Sequence, residues 1–151
     1  MSTGPVDTGS VYLCIDLKCF YASVECADRG LDPFRTNLVV ADSCRGKGTI
    51  CLAVTPAMKA LGVRSRCRVF EIPKSVDFIE CRPHMRRYME ESAEIYGIYL
   101  RYFSPEDIHV YSVDECFIDV TGYLRLYGET PVSMAKKLMA VIRRERHICA
   151  T

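Results

Sequence analysis

The sequence predicts an α+β fold: a sheet backed by two long helices, with a small lobe inserted between the first helix and the rest. Three observations carry this. Short apolar runs without helical spacing occur near residues 11–16 and 108–120. Two longer stretches, from Pro83 and from Thr130, repeat apolar residues at i, i+3, i+4. Between them, two apolar runs flank a Gly-rich polar segment. With 151 residues, 49% of them hydrophobic, the chain is one domain or one domain with an inserted lobe.

The elements follow in order. Val11–Asp16 reads as a buried strand, and Phe20–Arg29 as a helix that stops at Gly30. Leu38–Ala41 and Thr49–Val54 read as strands of a hairpin around Asp42-Ser-Cys-Arg-Gly-Lys-Gly48. Thr55-Pro56 supplies an N-cap and a first-turn proline for a short helix that carries Lys59 and closes at Gly62. From Pro83 to about Phe103, the residues Met85, Tyr88, Met89, Ala93 and Tyr96 form the apolar stripe of a long helix. Ile108–Ser112 and Glu115–Val120 form a second hairpin with Val113-Asp114 at its turn. Thr130-Pro131 starts a last helix, with Val132, Ala135, Leu138, Met139 and Ile142 on one face. His147–Thr151 has the character of a strand beginning, which suggests a truncated chain. Met1–Ser10 reads as a flexible leader.

Composition narrows the function classes. Twenty basic and nineteen acidic residues leave a formal charge of +1, so the chain is no simple basic coat for nucleic acid. The distribution is uneven. Tyr102–Gly128 holds five acids and one arginine, with arginine clusters before it and a Lys/Arg-rich helix after it. An acidic centre between basic segments suits metal binding beside a phosphate backbone. No apolar run approaches the length of a membrane span and no secretion signal is evident, so the expected location is the cytoplasm. The nine cysteines form no C-x-x-C pair, and the three histidines stand apart. They read as reduced core thiols rather than zinc ligands.

The chemistry concentrates in three acids. Asp16 ends the first apolar run, while Asp114 and Glu115 stand in Tyr111-Ser-Val-Asp-Glu-Cys-Phe-Ile-Asp119 between two strand-like runs. Two carboxylates about 4 Å apart repel by roughly 4 kcal/mol at an effective dielectric near 20. Each acid alone reads as a turn or surface group. The trio at strand ends reads better as a site for hard divalent cations such as magnesium.

Asp16-Leu-Lys-Cys-Phe-Tyr-Ala-Ser-Val-Glu25 resembles the D-x-x-x-F-Y-A-S-V-E opening of the Y-family (translesion, UmuC/DinB-like) DNA polymerases. Tyr111–Thr121 resembles their Y-S-I-D-E-A-F-x-D-x-T signature, and Ala57-Met-Lys-Ala-Leu-Gly-Val63 is similar to a stretch of the UmuC-like branch. The resemblance runs from Val11 onward. It implies a ferredoxin-like palm made of residues 11–19 and 81–151, and an inserted fingers lobe of residues 20–80. It also implies a DNA-directed DNA polymerase acting in translesion synthesis and DNA repair. Asp16, Asp114 and Glu115, with the Leu17 carbonyl, would hold two Mg²⁺ ions, for which Mn²⁺ could substitute. Cys19 and Phe20 would offer backbone N–H groups to the triphosphate. Tyr21 would exclude a ribose 2′-hydroxyl, Lys59 would pair with the β- or γ-phosphate, and Ser112 would touch the primer end. The implied partners are primer–template DNA, dNTP and a sliding clamp, the last through a segment expected to lie outside this chain.

Departures from the pattern are specific. Lys18 adds positive charge beside the acids, Ala53 and Pro56 stand where other branches place a triphosphate-binding Thr and Tyr, and Ile50 and Leu52 would lie over the new base pair. The family's thumb and C-terminal DNA-gripping domain have no counterpart here, so little activity is expected of the fragment alone. Two other readings are a nucleotide cyclase on a palm-like sheet and a non-catalytic palm-like interaction module.

Overall fold

The computed structural model of the chain describes residues 9–151. Of the leader predicted over residues 1–10, residues 1–8 lie outside the described residues. Two compact units are present. One contains the described residues up to Lys18 together with Ser92–Thr151; the other is Cys19–Glu91.

The first unit is built on a three-stranded antiparallel sheet of β1 (Tyr12–Asp16), β5 (Ile108–Ser112) and β6 (Glu115–Asp119), in the order β1-β6-β5. Along β1, the buried Leu13 and Ile15 alternate with the exposed Tyr12, Cys14 and Asp16; along β6, Cys116 and Ile118 are buried between half-buried neighbours. Period-2 alternation gives this sheet one apolar face and one open face. Residues 149–151 lie along the other edge of β1. Asp16 and Thr151 exchange backbone hydrogen bonds at 2.8 Å each way, and Leu17 bridges to Ala150. The strand expected to begin there is present only as this bridge.

Two helices contribute most of the unit's remaining interior: the second half of α3 (Met85–Leu100) and α5 (Pro131–Arg146). Their inner faces differ from the predicted stripes. In α3 the buried residues of this half are Ile95, Ile98 and Tyr99; the first half, which belongs to the Cys19–Glu91 unit, buries Tyr88 and Glu91 and leaves Met85 and Met89 exposed. The stripe contains a carboxylate that the apolar pattern skips: Glu91 is buried and accepts from Arg87 at 3.0 Å. In α5 the inner residues are Met134, Leu138, Val141 and Ile142, while Val132 points outward at 63% exposure. The Thr130 N-cap is as predicted, its hydroxyl accepting from the Ser133 N–H at 3.1 Å. A helix that periodicity did not reveal, α4 (Thr121–Tyr127), starts where Asp119 accepts from the Thr121 N–H and ends at Gly128 with φ +66°.

The second unit has its own sheet of β2 (Leu38–Val40), β3 (Ala53–Val54) and β4 (Ile79–Cys81), in the order β3-β2-β4. The β2–β3 pairing is antiparallel, as the hairpin reading requires; the parallel β4 was not predicted. The predicted strand Thr49–Val54 shrinks to two residues because its backbone divides between neighbours. The Cys51 N–H bonds the Cys67 carbonyl, while the Leu52 N–H bonds that of Val40. Helix α1 (Phe20–Asp28) is buried along Ala22–Cys26. The short α2 (Pro56–Ala60) is capped by the Thr55 hydroxyl, and Gly62 follows it with φ +90°. Val39, Ala41, Cys51, Val54, Met58, Val63 and Ile72 form the core of this lobe.

The nine cysteines are free, but only Cys26, Cys51, Cys81 and Cys116 are buried, so a core role holds for those four. Burial pushes the Cys26 and Cys116 thiols up to about 11, which keeps them protonated at neutral pH.

Candidate metal and nucleotide site

Strand register gathers the acids. In the β1–β6 pairing Asp16 stands directly opposite Glu115, and in the β5–β6 pairing Glu115 stands opposite Ser112. Directly opposed residues project from the same face, so Asp16, Glu115 and Ser112 form one row across three strands on the open side. The β5–β6 ladder carries a register shift between Val110 and Ser112 that leaves Tyr111 without an opposite residue. Such bulges re-aim side chains near sheet ends. Asp114 sits in the two-residue turn, its carbonyl accepting from the Leu17 N–H at 2.9 Å. The Ser112 hydroxyl lies 2.9 Å from Asp114 Oδ1 and 3.3 Å from Glu115 Oε1, within reach of both acids. The turn itself is tied down by Ser92, whose hydroxyl donates to the Val113 carbonyl at 2.7 Å.

The donors at this sheet end are carboxylate and hydroxyl oxygens on partly exposed residues, a set that fits a hard divalent cation better than zinc. Among the described residues, however, no three His, Cys, Asp or Glu side chains are drawn together closely enough to hold a metal ion. The backbone brings the acids to one edge; the side chains, as they stand, do not form a cage.

The other predicted site residues lie on two helices of the Cys19–Glu91 unit, Cys19, Phe20 and Tyr21 at the start of α1 and Lys59 in the last turn of α2. Cys19 is the N-cap of α1 and adopts the left-handed conformation (φ 49°, ψ 50°) without a side-chain cap. That is an uncommon state for a residue with a Cβ, and such strain concentrates at functional positions. Phe20 is buried, whereas Tyr21 is half-buried. Lys59 is exposed on α2.

The lobe also holds an open cleft of about 610 Å³ lined by Asp42, Arg45, Gly48, Ile50, Leu52 and Arg68. Arg68 is one of the arginines clustered before the acidic segment; Arg45 was not singled out, and Gly46 and Gly48 after it were the available signal. Asp42 Oδ1 is buried without a hydrogen-bond partner, and the Arg45 Nε stands 3.7 Å from the other carboxylate oxygen.

A second feature escaped sequence reasoning. Glu25, 3% exposed, is the hub of a polar cluster. Its Oε2 accepts from the Tyr88 hydroxyl at 2.5 Å and faces His84 Nδ1 at 2.7 Å, while Oε1 pairs with Arg29. Burial alone would raise the Glu25 pKa, but the hydrogen bonds from Tyr88, His84 and Arg29 more than offset it and hold the carboxyl below its ordinary value. Its own burial, and next the hydrogen bond to Glu25, push the Tyr88 phenol up. The available signal was a glutamate among the apolar residues of a short helix.

No helix among the described residues is long and apolar enough to cross a membrane. Residues 15–151 match the impB/mucB/samB (IMS) family. DNA polymerase IV 2 of Bacillus subtilis is 35% identical over 138 residues, covering 89% of this chain and 32% of the relative's length. The DNA repair protein homolog YozK of the same organism is 35% identical over 103 residues, 68% of this chain and 90% of that protein. Among solved structures, DinB from Sulfolobus solfataricus superposes with a TM-score of 0.77 at 22% identity, over 93% of this chain and 40% of its own. The chain thus spans about a third of the polymerase relative and nearly all of the shorter one. With both signatures, the family match and the shared architecture in agreement, the chain belongs to the impB/mucB/samB family and has the α+β fold of the Y-family DNA polymerases.

Proposed function

We propose that this chain is the catalytic portion of a DNA-directed DNA polymerase of the translesion type, working in DNA repair by nucleotidyl transfer from dNTP to a primer 3′-hydroxyl. The observation that carries the reading is the row Asp16–Glu115–Ser112 with Asp114 at the adjoining turn. Asp16, Asp114 and Glu115, with the Leu17 carbonyl, are the residues that would hold two magnesium ions. Bound there, the ions would activate the primer hydroxyl and neutralise charge on the triphosphate. Phosphoryl transfer needs positioning and charge stabilisation rather than a nucleophilic side chain; the part of the acids would be to hold and place the cations that supply the charge.

The chain's other groups take complementary roles in this reading. The uncapped first turn of α1, at Cys19 and Phe20, offers N–H groups to phosphate oxygens. Tyr21 presses on the sugar of the incoming nucleotide and rejects a 2′-hydroxyl. Lys59 supplies a point charge to the β- or γ-phosphate, and Ser112, besides orienting Asp114, meets the primer end. Ile50 and Leu52, about 40% exposed in a cleft with two arginines, suit a base-pair surface. Primer–template DNA and dNTP are therefore the proposed partners.

A Mg²⁺ titration followed by NMR tests the acids directly. The expected result is a response grouped at residues 16, 17 and 112–115 that disappears in Asp114→Asn. A response scattered over the surface acids, or one unchanged in the variant, overturns the metal site. Primer extension with dNTPs then tests the activity: extension by the wild type that is equal in Asp114→Asn would exclude these acids from the chemistry.

A further inference from the structure

We propose that Glu25 is a positioning residue for Tyr21: acting through Tyr88, its carboxylate fixes the aromatic wall behind the Tyr21 ring and thereby sets discrimination between deoxyribose and ribose triphosphates. The inference rests on the reading of Tyr21 as the residue that meets the sugar.

Tyr21 and Glu25 are four residues apart on α1, so they lie on one face, one turn from each other. A single side chain engages both. The Tyr88 ring stacks on Tyr21 with centroids 4.5 Å apart and planes 13° from parallel, and its hydroxyl donates to Glu25 Oε2 at 2.5 Å. Tyr88 is fully buried, while Tyr21 is only half-buried. The orientation of Tyr21 therefore depends strongly on what lies beneath it. The neighbouring Phe20 ring, 6.1 Å away and tilted 52°, does not stack on it.

Glu25 is in turn held at both oxygens. His84 stands 2.7 Å from Oε2, Arg29 pairs with Oε1, and the Tyr88 N–H is anchored on the His84 carbonyl at 3.1 Å. The carboxylate thus has no freedom to turn, and it fixes the phenol it accepts from. Stability alone does not call for this arrangement, because a buried ion cluster replaced by well-packed apolar groups is often neutral or stabilising. What the cluster supplies beyond packing is direction. A ring that selects against one hydroxyl must be placed to a fraction of an ångström, since misplacement by about 1 Å can cost on the order of 10²-fold.

The test compares binding of dATP and ATP, each with Mg²⁺, to the intact chain and its Tyr21→Ala, Glu25→Gln and Tyr88→Phe variants, with melting temperatures measured alongside. Glu25→Gln keeps the side-chain volume, and Tyr88→Phe keeps the stacked ring while removing only its hydroxyl. The expected result is a preference for dATP that falls several-fold in Glu25→Gln and in Tyr88→Phe, with dATP affinity itself within about twofold of wild type. Tyr21→Ala should abolish the preference. A merely structural Glu25 would lower the melting temperature and weaken both nucleotides alike, leaving their ratio unchanged; that result overturns the proposal while Tyr21 keeps its role. If Tyr21→Ala also leaves the ratio unchanged, or if the wild type shows no preference, the sugar-contact reading fails and Glu25 falls with it.

Discussion

Glu25 and the acids at the end of the β1-β6-β5 sheet are carboxylates treated in opposite ways. Glu25 is buried and answered at both oxygens, by Tyr88 and His84 on one side and Arg29 on the other. Asp114 and Glu115 are partly exposed, stand next to each other in sequence, and share the hydroxyl of Ser112. Asp16 faces Glu115 across the ladder, a like-charge pairing that weakens a sheet. The difference separates architecture from function. A buried acid persists because its partners are built around it. Partly exposed acids brought to one sheet end are open to a cation from solution in a way that a buried one is not. Removing charge from the row should harm activity and spare the fold, whereas removing Glu25 should cost stability and blur sugar discrimination while leaving nucleotide affinity nearly unchanged.

The largest effect belongs to Asp114→Asn. The amide keeps the acceptor for the Ser112 hydroxyl and removes only the charge. Primer extension should fall on the order of 10³-fold, equivalent to about 4 kcal/mol of transition-state stabilisation. Folding stability should stay within about 0.5 kcal/mol or rise, because repulsion at the sheet end is relieved. A loss of several kcal/mol in urea denaturation would place Asp114 with the architectural acids and break the comparison.

Glu25→Ala comes next. It leaves the buried Tyr88 hydroxyl without its acceptor and Arg29 without its partner, and a cost of about 3 kcal/mol in urea denaturation is expected. The acid side of the pH range sharpens the same point. Because the folded-state pKa of Glu25 lies below its ordinary value of 4.5, its contribution is fully present above that value. It is lost as pH falls through the lower folded value. Wild type should therefore lose more stability than Glu25→Gln as pH falls below 4.5. Parallel curves for the two proteins would mean that the carboxylate contributes nothing beyond its volume.

The contrast also explains what could be read in the sequence. The acid row was legible because it lies in continuous signatures at strand ends, where alternation and turn chemistry fix both face and register. Thr55 and Thr130 were legible because hydroxyl, proline and helix follow one another locally. The inner faces of α3 and α5 were not, since long-range packing chose Tyr88, Glu91 and Ile95 over the equally spaced Met85 and Met89. β4 escaped because its parallel pairing joins Leu38–Val40 to residues some forty positions later, with no periodic signal in three residues. The Glu25 cluster escaped for the same reason: His84 and Tyr88 lie about sixty residues away, and only the folded chain brings them together. In the acid row itself, the backbone placement was legible but the side-chain directions were not, because an exposed carboxylate settles against whatever charge is present.

The smallest effects concern two helix starts that repeat the contrast. At α5, Thr130 and Ser133 satisfy each other's N–H groups at 3.1 and 2.8 Å, so the end is closed by its own side chains. At α1, Cys19 caps nothing and holds a left-handed backbone that costs an L-residue about 1–2 kcal/mol. Thr130→Ala should therefore lose about 1 kcal/mol. Cys19→Gly should lose almost nothing or gain slightly, because relief of the left-handed strain offsets the roughly 0.5–1 kcal/mol of added chain entropy. Melting temperatures of the two variants carry the sign. If Cys19→Gly costs as much as the lost cap at Thr130, then the start of α1 is held for the fold's own sake, and its uncapped N–H groups lose their claim to a phosphate.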